Sequence, residues 1–255
     1  MFAEERYNRI AALVMSEGRV TVAQLASRFN ITKETVRRDL ALLEKDGLLR
    51  RVHGGAVPAA SASTTELSLT SREGRNQAEK ARIAKAALTM VPTEGSIVLD
   101  GGTTTSSLAA LLAQEAGNQL LVITHSVPVA STLIGSSLQL EFIGGRVRGL
   151  TSACVGSGTV ARYSGFRPDV VFIGTNGVHP EFGLSTPDPE EASVKAAIVR
   201  SARRVVVLAD ASKLNTETLV SFAELGDIDA LVTDAQPDTG FTRALAEADV
   251  ELVIA

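Results

Sequence analysis

Apolar positions recur every three or four residues through the first fifth of the chain. Ile10, Leu13 and Val14 mark one face of residues 4–16 and predict a first helix. Val22, Leu25, Ala26 and Phe29 mark a second within the stretch Val20 to Asn30, where Thr21 and Gln24 have the spacing of a capping box. Val36, Leu40 and Leu43 fall at i, i+4 and i+7 of a third, with Thr32 as N-cap and Gly47 as its stop. Asn30-Ile31 leaves room only for a tight turn between the last two. Leu48 to Val57 has apolar flanks around Gly54-Gly55 and predicts a β-hairpin. Together these elements predict a winged helix-turn-helix whose third helix is the one that reads bases.

From residue 76 the texture changes. Ala78 to Val91 reads as a helix. Short β-branched runs follow at 96–100, 120–124, 138–143, 170–173, 205–209, 230–233 and 251–254, with helical spans between most of them. That alternation predicts a mostly parallel α/β sheet covered on both faces. The expected organisation is a winged helix-turn-helix at 1–57, a linker at 58–75 and a second domain at 76–255. Within the linker, Pro58 to Thr65 is small and polar with no apolar period.

Composition narrows the function. Hydrophobic residues make up 45% of the chain, enough for a sizeable core, and no run approaches the ~18–20 apolar residues of a membrane helix. Met1 to Arg6 is charged and lacks the apolar stretch of a signal peptide, so a soluble, cytoplasmic chain without a membrane partner is expected. Cys154 is the single cysteine, and the three histidines are far apart, so neither a metal site nor a cofactor is expected. The net charge of −4 is unevenly placed. Residues 1–57 carry 10 Lys/Arg against 7 Asp/Glu, and the remainder 15 against 22. A mildly basic head on an acidic body fits a DNA-reading module joined to something else. A balance of +3 is small, so two heads on one operator, and hence a homo-oligomer, are expected.

Candidate chemistry lies in two places. On the third helix Thr32, Lys33, Thr35, Arg37 and Arg38 lie off the apolar stripe, and arginine can pair with guanine or neutralise phosphate. Arg50 and Arg51 of the hairpin are candidates for phosphate. Asp39, nearer the core, is expected to pair with an arginine of the wing or of the first helix. In a parallel sheet ligands bind at the carboxyl ends of the strands. The first strand runs into Asp100, Gly101, Gly102, Thr103, Thr104 and Thr105, a glycine- and hydroxyl-rich approach to a helix N-terminus and, in outline, a phosphate cradle. The other strand ends bring Thr124-His125-Ser126, Gly144-Gly145-Arg146, Gly174-Thr175-Asn176-Gly177 and Asp210-Ala211-Ser212-Lys213. Five such ends at one sheet edge suit a small, hydroxyl-rich, anionic ligand. Lys213 is its first candidate counter-ion and Arg146 the second.

The order Arg6, Ile10, Val14, Thr32, Thr35, Val36, Arg37, Arg38, Asp39, Leu40, with the wing Arg51-x-His53-Gly54-Gly55-Ala56, resembles the DeoR family of bacterial repressors. The resemblance extends over nearly the whole chain. It implies that His53, Gly54 and Gly55 contribute to DNA binding. It also implies a sensor domain related in fold to ribose-5-phosphate isomerase and glucosamine-6-phosphate deaminase, with phosphate on the 101–106 loop and Asp100 on sugar hydroxyls. Lys80, Asp210 and Lys213 match positions the family associates with effector response, and Glu191 and Lys195 match its downstream helix. His125 departs from the asparagine common there. The implied function is a repressor of a sugar operon, held on double-stranded operator DNA and released by a sugar phosphate. Glu66-Leu67-Ser68-Leu69 and Phe172 to Asn176 look most like actinobacterial regulators of fructose and phosphotransferase-sugar genes, which makes fructose 1-phosphate the first candidate. The alternative is a sugar-phosphate isomerase or deaminase with a DNA-binding head. The related isomerases carry an Asp-Glu pair after the strand that here ends in Gly174-Thr175-Asn176-Gly177. Asparagine cannot take the proton. Asp100 and Asp210 are the remaining carboxylates at strand ends, and no catalytic residue is expected.

Overall fold

A computed structural model describes residues 3–17, 20–52, 54–58, 64, 66–115 and 119–255. The expected linker residues 59–63 and 65 lie outside them. The chain divides into two compact units, Met1–Leu67 and Ser68–Ala255.

The first unit contains α1 (Ala3–Glu17), β1 (Val20–Thr21), α2 (Val22–Phe29), α3 (Lys33–Lys45), β2 (Leu49–Val52) and β3 (Gly55–Pro58). Ile10, Val14, Leu25, Val36, Leu40, Leu43 and Leu49 form one buried cluster. The capping box is made: Gln24 N–H donates to Thr21 Oγ1 at 3.2 Å, and Thr21 N–H donates to Gln24 Oε1 at 2.7 Å. Asn30 ends α2 in the left-handed region, and Thr32 caps α3 by accepting from Thr35 N–H at 3.1 Å. The second helix starts later than its apolar pattern suggests, because Val20 and Thr21 pair with Ala56 and Gly55 of the wing. The sheet runs β1-β3-β2.

The second unit contains α4 (Leu69–Glu73), α5 (Gln77–Leu88), β4 (Glu94–Leu99), α6 (Thr103–Leu112), β5 (Gln119–Thr124), α7 (Val127–Leu133), β6 (Gln139–Phe142), β7 (Arg146–Arg148), β8 (Ala153–Val155) and α8 (Ser157–Ser164). It continues through β9 (Val170–Gly174), β10 (Gly177–His179), β11 (Gly183–Thr186), α9 (Pro189–Ser201), β12 (Val205–Leu208), β13 (Val220–Ala223), β14 (Ala230–Thr233), α10 (Thr239–Glu247) and β15 (Glu251–Ile254). All seven runs expected as strands join one sheet, ordered β15-β14-β12-β9-β4-β5-β6, and every pairing in it is parallel.

Side chains alternate between the faces of this sheet. Ile97, Leu99, Phe172, Val206 and Leu208 pack with Ile83 of α5, Leu108 of α6 and Leu133 of α7. Val98, Val171, Ile173, Val205 and Val207 pack with Tyr163 of α8, Ile198 of α9 and Phe241 of α10. Both faces are therefore dry, and these strands read as continuous apolar runs. The chain enters at the central β4, adds β5 and β6 on one side, then returns to add β9, β12, β14 and β15 on the other. The strand order reverses between β4 and β9, which opens a crevice at their carboxyl ends.

Two smaller sheets stand outside the sequence expectation: the hairpin β7-β8 and the antiparallel β10-β11-β13. The described helices include none long and apolar enough to cross a membrane.

Candidate functional site

On α3 the apolar stripe is buried, while Thr32, Lys33, Arg37 and Arg38 are exposed and Thr35 is half-buried. Arg37 makes an exposed ion pair with Glu34 at 3.2 Å, whereas Arg38 makes none among the described residues. Asp39 faces inward. Its carboxylate takes Arg6 Nε at 2.6 Å and Arg6 Nη2 at 3.1 Å, a two-point clamp between α3 and α1. The partner is thus the arginine of the first helix.

Two positions of the wing also carry structural roles. Arg51 does not stand free for phosphate: its N–H donates to Glu44 Oε1 at 2.8 Å and its Nε to Glu44 Oε2 at 2.6 Å. These bonds hold the Glu44 carboxyl below its ordinary pKa and tie the wing to α3. Gly55 is required by packing, since a Cβ there would lie 2.0 Å from Val20 O. Gly54 turns the hairpin at φ +80°, and Arg50 is exposed. His53 lies outside the described residues.

In the second unit, Asp100 closes β4 at the crevice and is fully buried. Its Oδ2 accepts from Gly174 N–H at 2.9 Å and from Lys195 Nζ of α9, and Lys195 also donates to Gly174 O at 2.8 Å. Lysine and carboxylate thereby pin the ends of β4 and β9 together. The other oxygen, Oδ1, has no hydrogen-bond partner. His125 Nε2 lies 3.7 Å from it. His125 Nδ1 is 2.9 Å from Tyr163 Oη. Burial lowers the His125 pKa to about 4, against the pull of Asp100, so the ring is neutral at pH 7.

A second cluster sits at the carboxyl end of β12. Asp210 accepts from Asn76 Nδ2 at 3.1 Å and from the amide and hydroxyl of Ser212. Lys80 of α5 donates to Arg72 O and, at 2.6 Å, to Arg75 O. Its pKa is pushed down to about 8, first by burial and then by Lys213, Arg72 and Arg75, with Asp210 opposing. Burial likewise lowers Lys213, again against Asp210. Lys80, Glu73, Gln77, Thr103, Ser106, Ser107 and Ala110 line a cleft of about 350 Å³, large enough for a small ligand. The cleft lies between α5 and the N-terminus of α6.

The remaining candidates divide. Thr103, Thr104 and Thr105 form the first turn of α6 rather than a loop, and Thr105 Oγ1 donates to Gly102 O at 2.9 Å. Gly101 and Gly102 make the approach to that turn. Thr124 has its hydroxyl engaged twice, donating to Leu99 O at 2.7 Å and accepting from Ser126 N–H at 3.1 Å. Ser126 caps α7. Both shape the turn after β5. Gly145 is needed for close approach, because a Cβ would meet Thr159 Oγ1 at 2.2 Å. Arg146 is exposed and pairs with Glu190. Asn176 N–H donates to Ser185 O at 3.1 Å, at the open end of the β10-β11 pairing. Glu191 is occupied by Arg148 at 3.3 Å and by the Thr151 hydroxyl, so it ties the β7-β8 hairpin to α9. Sequence reasoning missed Tyr163 as a site residue and left His125 aside. The apolar period of α8 shows only a core tyrosine, and the pairing with His125 arises across 38 residues.

A winged helix-turn-helix followed by a parallel α/β domain with a polar cluster at its switch point defines a DNA-binding regulator with a ligand-sensing half. A model of the DeoR-like helix-turn-helix domain matches residues 6–62, and one of the DeoR C terminal sensor domain matches residues 75–235. The chain belongs to the DeoR family. It is 33% identical over 236 residues to a protein of Bacillus subtilis named as the uncharacterized HTH-type transcriptional regulator FruR, covering 92% of this chain and 93% of that one. It is 30% identical over 250 residues to the glycerol-3-phosphate regulon repressor of Escherichia coli, covering 97% of each. Among solved structures, ribose 5-phosphate isomerase A of Methanocaldococcus jannaschii matches 55% of each chain at 20% identity, with a TM-score of 0.42.

Proposed function

We propose that this chain is a homo-oligomeric repressor released from its operator by a phosphorylated sugar or polyol, with fructose 1-phosphate the first ligand to test. The observation that carries this reading is the cleft in which Lys80 and Gln77 of α5 face Thr103 and Ser106 of the first turns of α6, with Asp210 and Lys213 near enough to act on the Lys80 charge. A lysine whose charged form is disfavoured, beside a helix N-terminus, suits a phosphate dianion. The name of one relative, a glycerol-3-phosphate regulon repressor, supports a ligand of that class.

A sensor acts on DNA only as far as its ligand binds the two DNA-affinity states differently. Lys213→Ala should therefore keep near wild-type operator affinity and lose the response to sugar phosphates. Operator titrations with and without fructose 1-phosphate and glycerol 3-phosphate decide this, and an unchanged response midpoint would make Lys213 a structural lysine. On the DNA side, Arg38→Ala should leave unfolding unchanged and weaken the operator complex. A lost guanine contact costs about 1–3 kcal/mol and relaxes one base, while a lost phosphate contact flattens the salt dependence for every sequence. Unchanged affinity at fixed salt would exclude Arg38 from the interface.

The lysine at the cleft gives the ligand affinity a pH signature. With its pKa held down to about 8, Lys80 is charged below that pH and loses its proton as pH rises through it. A phosphate dianion favours the charged form, so affinity should fall by up to about ten-fold per pH unit above 8. It should also fall below about pH 6, where phosphate takes up a proton. Calorimetry in buffers of different ionisation enthalpy should register proton uptake on binding near pH 8.5. A flat affinity from pH 7 to 9.5 would remove Lys80 from the site.

The proposed role excludes turnover. Incubation with pentose and hexose phosphates should return them unchanged, and isomerised or deaminated product would instead favour the enzyme reading.

A further inference from the structure

The effector reading leaves one pair of groups unexplained. Asp100 Oδ1 is buried without a partner, a costly state unless a ligand meets it. His125 Nε2, 3.7 Å away, is too far to hydrogen-bond to it and has no other hydrogen-bond partner among the described residues. The ring is neutral, so it carries one N–H and one lone pair. If the proton sat on Nδ1, the Nε2 lone pair would face a carboxylate oxygen. With the proton on Nε2, a positive hydrogen faces it instead. That tautomer requires the Tyr163 hydroxyl to donate to Nδ1 across the 2.9 Å contact. Tyr163 is fully buried and keeps its proton well above the ordinary range. A Cβ at residue 101 would lie 3.1 Å from Ala153 Cβ and 3.7 Å from His125 Nε2, so Gly101 lets the backbone after Asp100 pass close to the ring.

We propose that Asp100 and His125 together read one hydroxyl of the effector, and that His125 sets the specificity for it. The hydroxyl oxygen accepts from Nε2–H and gives its own proton to Oδ1. One oxygen can reach two atoms 3.7 Å apart at an ordinary ~2.8 Å from each. A keto oxygen has no proton for Oδ1, an ammonium has no lone pair for Nε2–H, and a deoxy carbon satisfies neither. The ligand class is a phosphorylated polyol or sugar with a free hydroxyl at that carbon. Tyr163 is a positioning residue that holds the tautomer. This inference rests on the proposed effector site.

The test titrates fructose 1-phosphate, glucose 6-phosphate, glycerol 3-phosphate and inorganic phosphate into the full chain and into His125→Phe, His125→Asn and Tyr163→Phe. At least one organic phosphate should bind the wild type more tightly than inorganic phosphate. His125→Phe should weaken that ligand about ten-fold and leave inorganic phosphate unchanged. His125→Asn, which keeps an N–H donor, should recover part of the loss, and Tyr163→Phe should fall between. Nitrogen-15 spectra of labelled histidine should show His125 as the Nε2–H tautomer at pH 7, biased less strongly in Tyr163→Phe. If His125→Phe does not fold, these spectra and the other two variants decide. Wild-type organic-phosphate affinity in His125→Phe, or an Nδ1–H tautomer, would overturn the inference and leave the effector site standing. So would inorganic phosphate binding as tightly as every organic one. If none of the four binds, the effector reading itself fails and takes the inference with it.

Discussion

Lys195→Met is expected to destabilise the sensor domain by about 3–5 kcal/mol, the cost of removing one member of a buried ion pair. Asp100 and Lys195 are both at least 95% buried, and the lysine also donates to Gly174 O. Methionine fills much of the volume but leaves a carboxylate with Gly174 N–H as its remaining donor. The double variant Asp100→Asn/Lys195→Met should recover more than half of the loss, because no unpaired charge is left inside. Denaturant midpoints of the four proteins give the coupling between the two residues. A loss below about 1 kcal/mol in Lys195→Met would mean that Asp100 simply takes up a proton. The double variant should also fail to respond to effector despite its recovered stability.

Asp39→Ala is expected to cost the winged-helix domain about 2–3 kcal/mol and to weaken operator binding with it. Asp39 is 1% exposed and Arg6 is its two-point partner, so truncation strands a half-buried guanidinium against the helix. The clamp sets how α3 lies on α1, so the recognition face loses its support as well as stability. Asp39→Leu with Arg6→Met should restore the unfolding midpoint more than the DNA affinity. If Asp39→Ala weakened operator binding without lowering the midpoint, Asp39 would act at the DNA directly.

The two halves differ in how much their sequences disclose. Local periods announce the DNA-binding half. The Thr21/Gln24 box, the Thr32 cap and the Gly47 stop lie within a few residues of what they cap, so each can be seen without knowing the fold. The role of Arg51 could not be seen, because Glu44 precedes it by seven residues and meets it only once the hairpin folds back on α3. The same limit applies to β1. Val20 and Thr21 carry a helical pattern but pair with the wing.

In the sensor half, β9, β12 and β14 show in the sequence because they are buried on both faces and so are almost wholly apolar. The edge strands β6 and β15 are only half-buried and show by their apolar residues. The short β7-β8 and β10-β11-β13 pieces do not. Strands this short have too little alternation to show a period, and these lack the continuous β-branched run that marks β9 and β12. Among the candidate residues, Asp100, Asp210 and Lys213 follow the carboxyl ends of β4 and β12, and Lys80 of α5 lies within electrostatic reach of Asp210 and Lys213. Thr124 and Glu191 have their polar atoms taken by the protein, a matter of hydrogen bonding that spacing does not carry.

Hydrophobic period, the caps of α2 and α3 and the seven strands of the central sheet were legible in the sequence itself, since each depends on neighbours within a turn of helix or a single strand. The tertiary structure decided which polar groups meet. Parallel strands are joined by long crossovers, so Asp100, His125, Tyr163 and Lys195 come together only when β4 lies between β5 and β9 with α8 and α9 packed on the sheet. Strand order, not spacing along the chain, makes them one cluster.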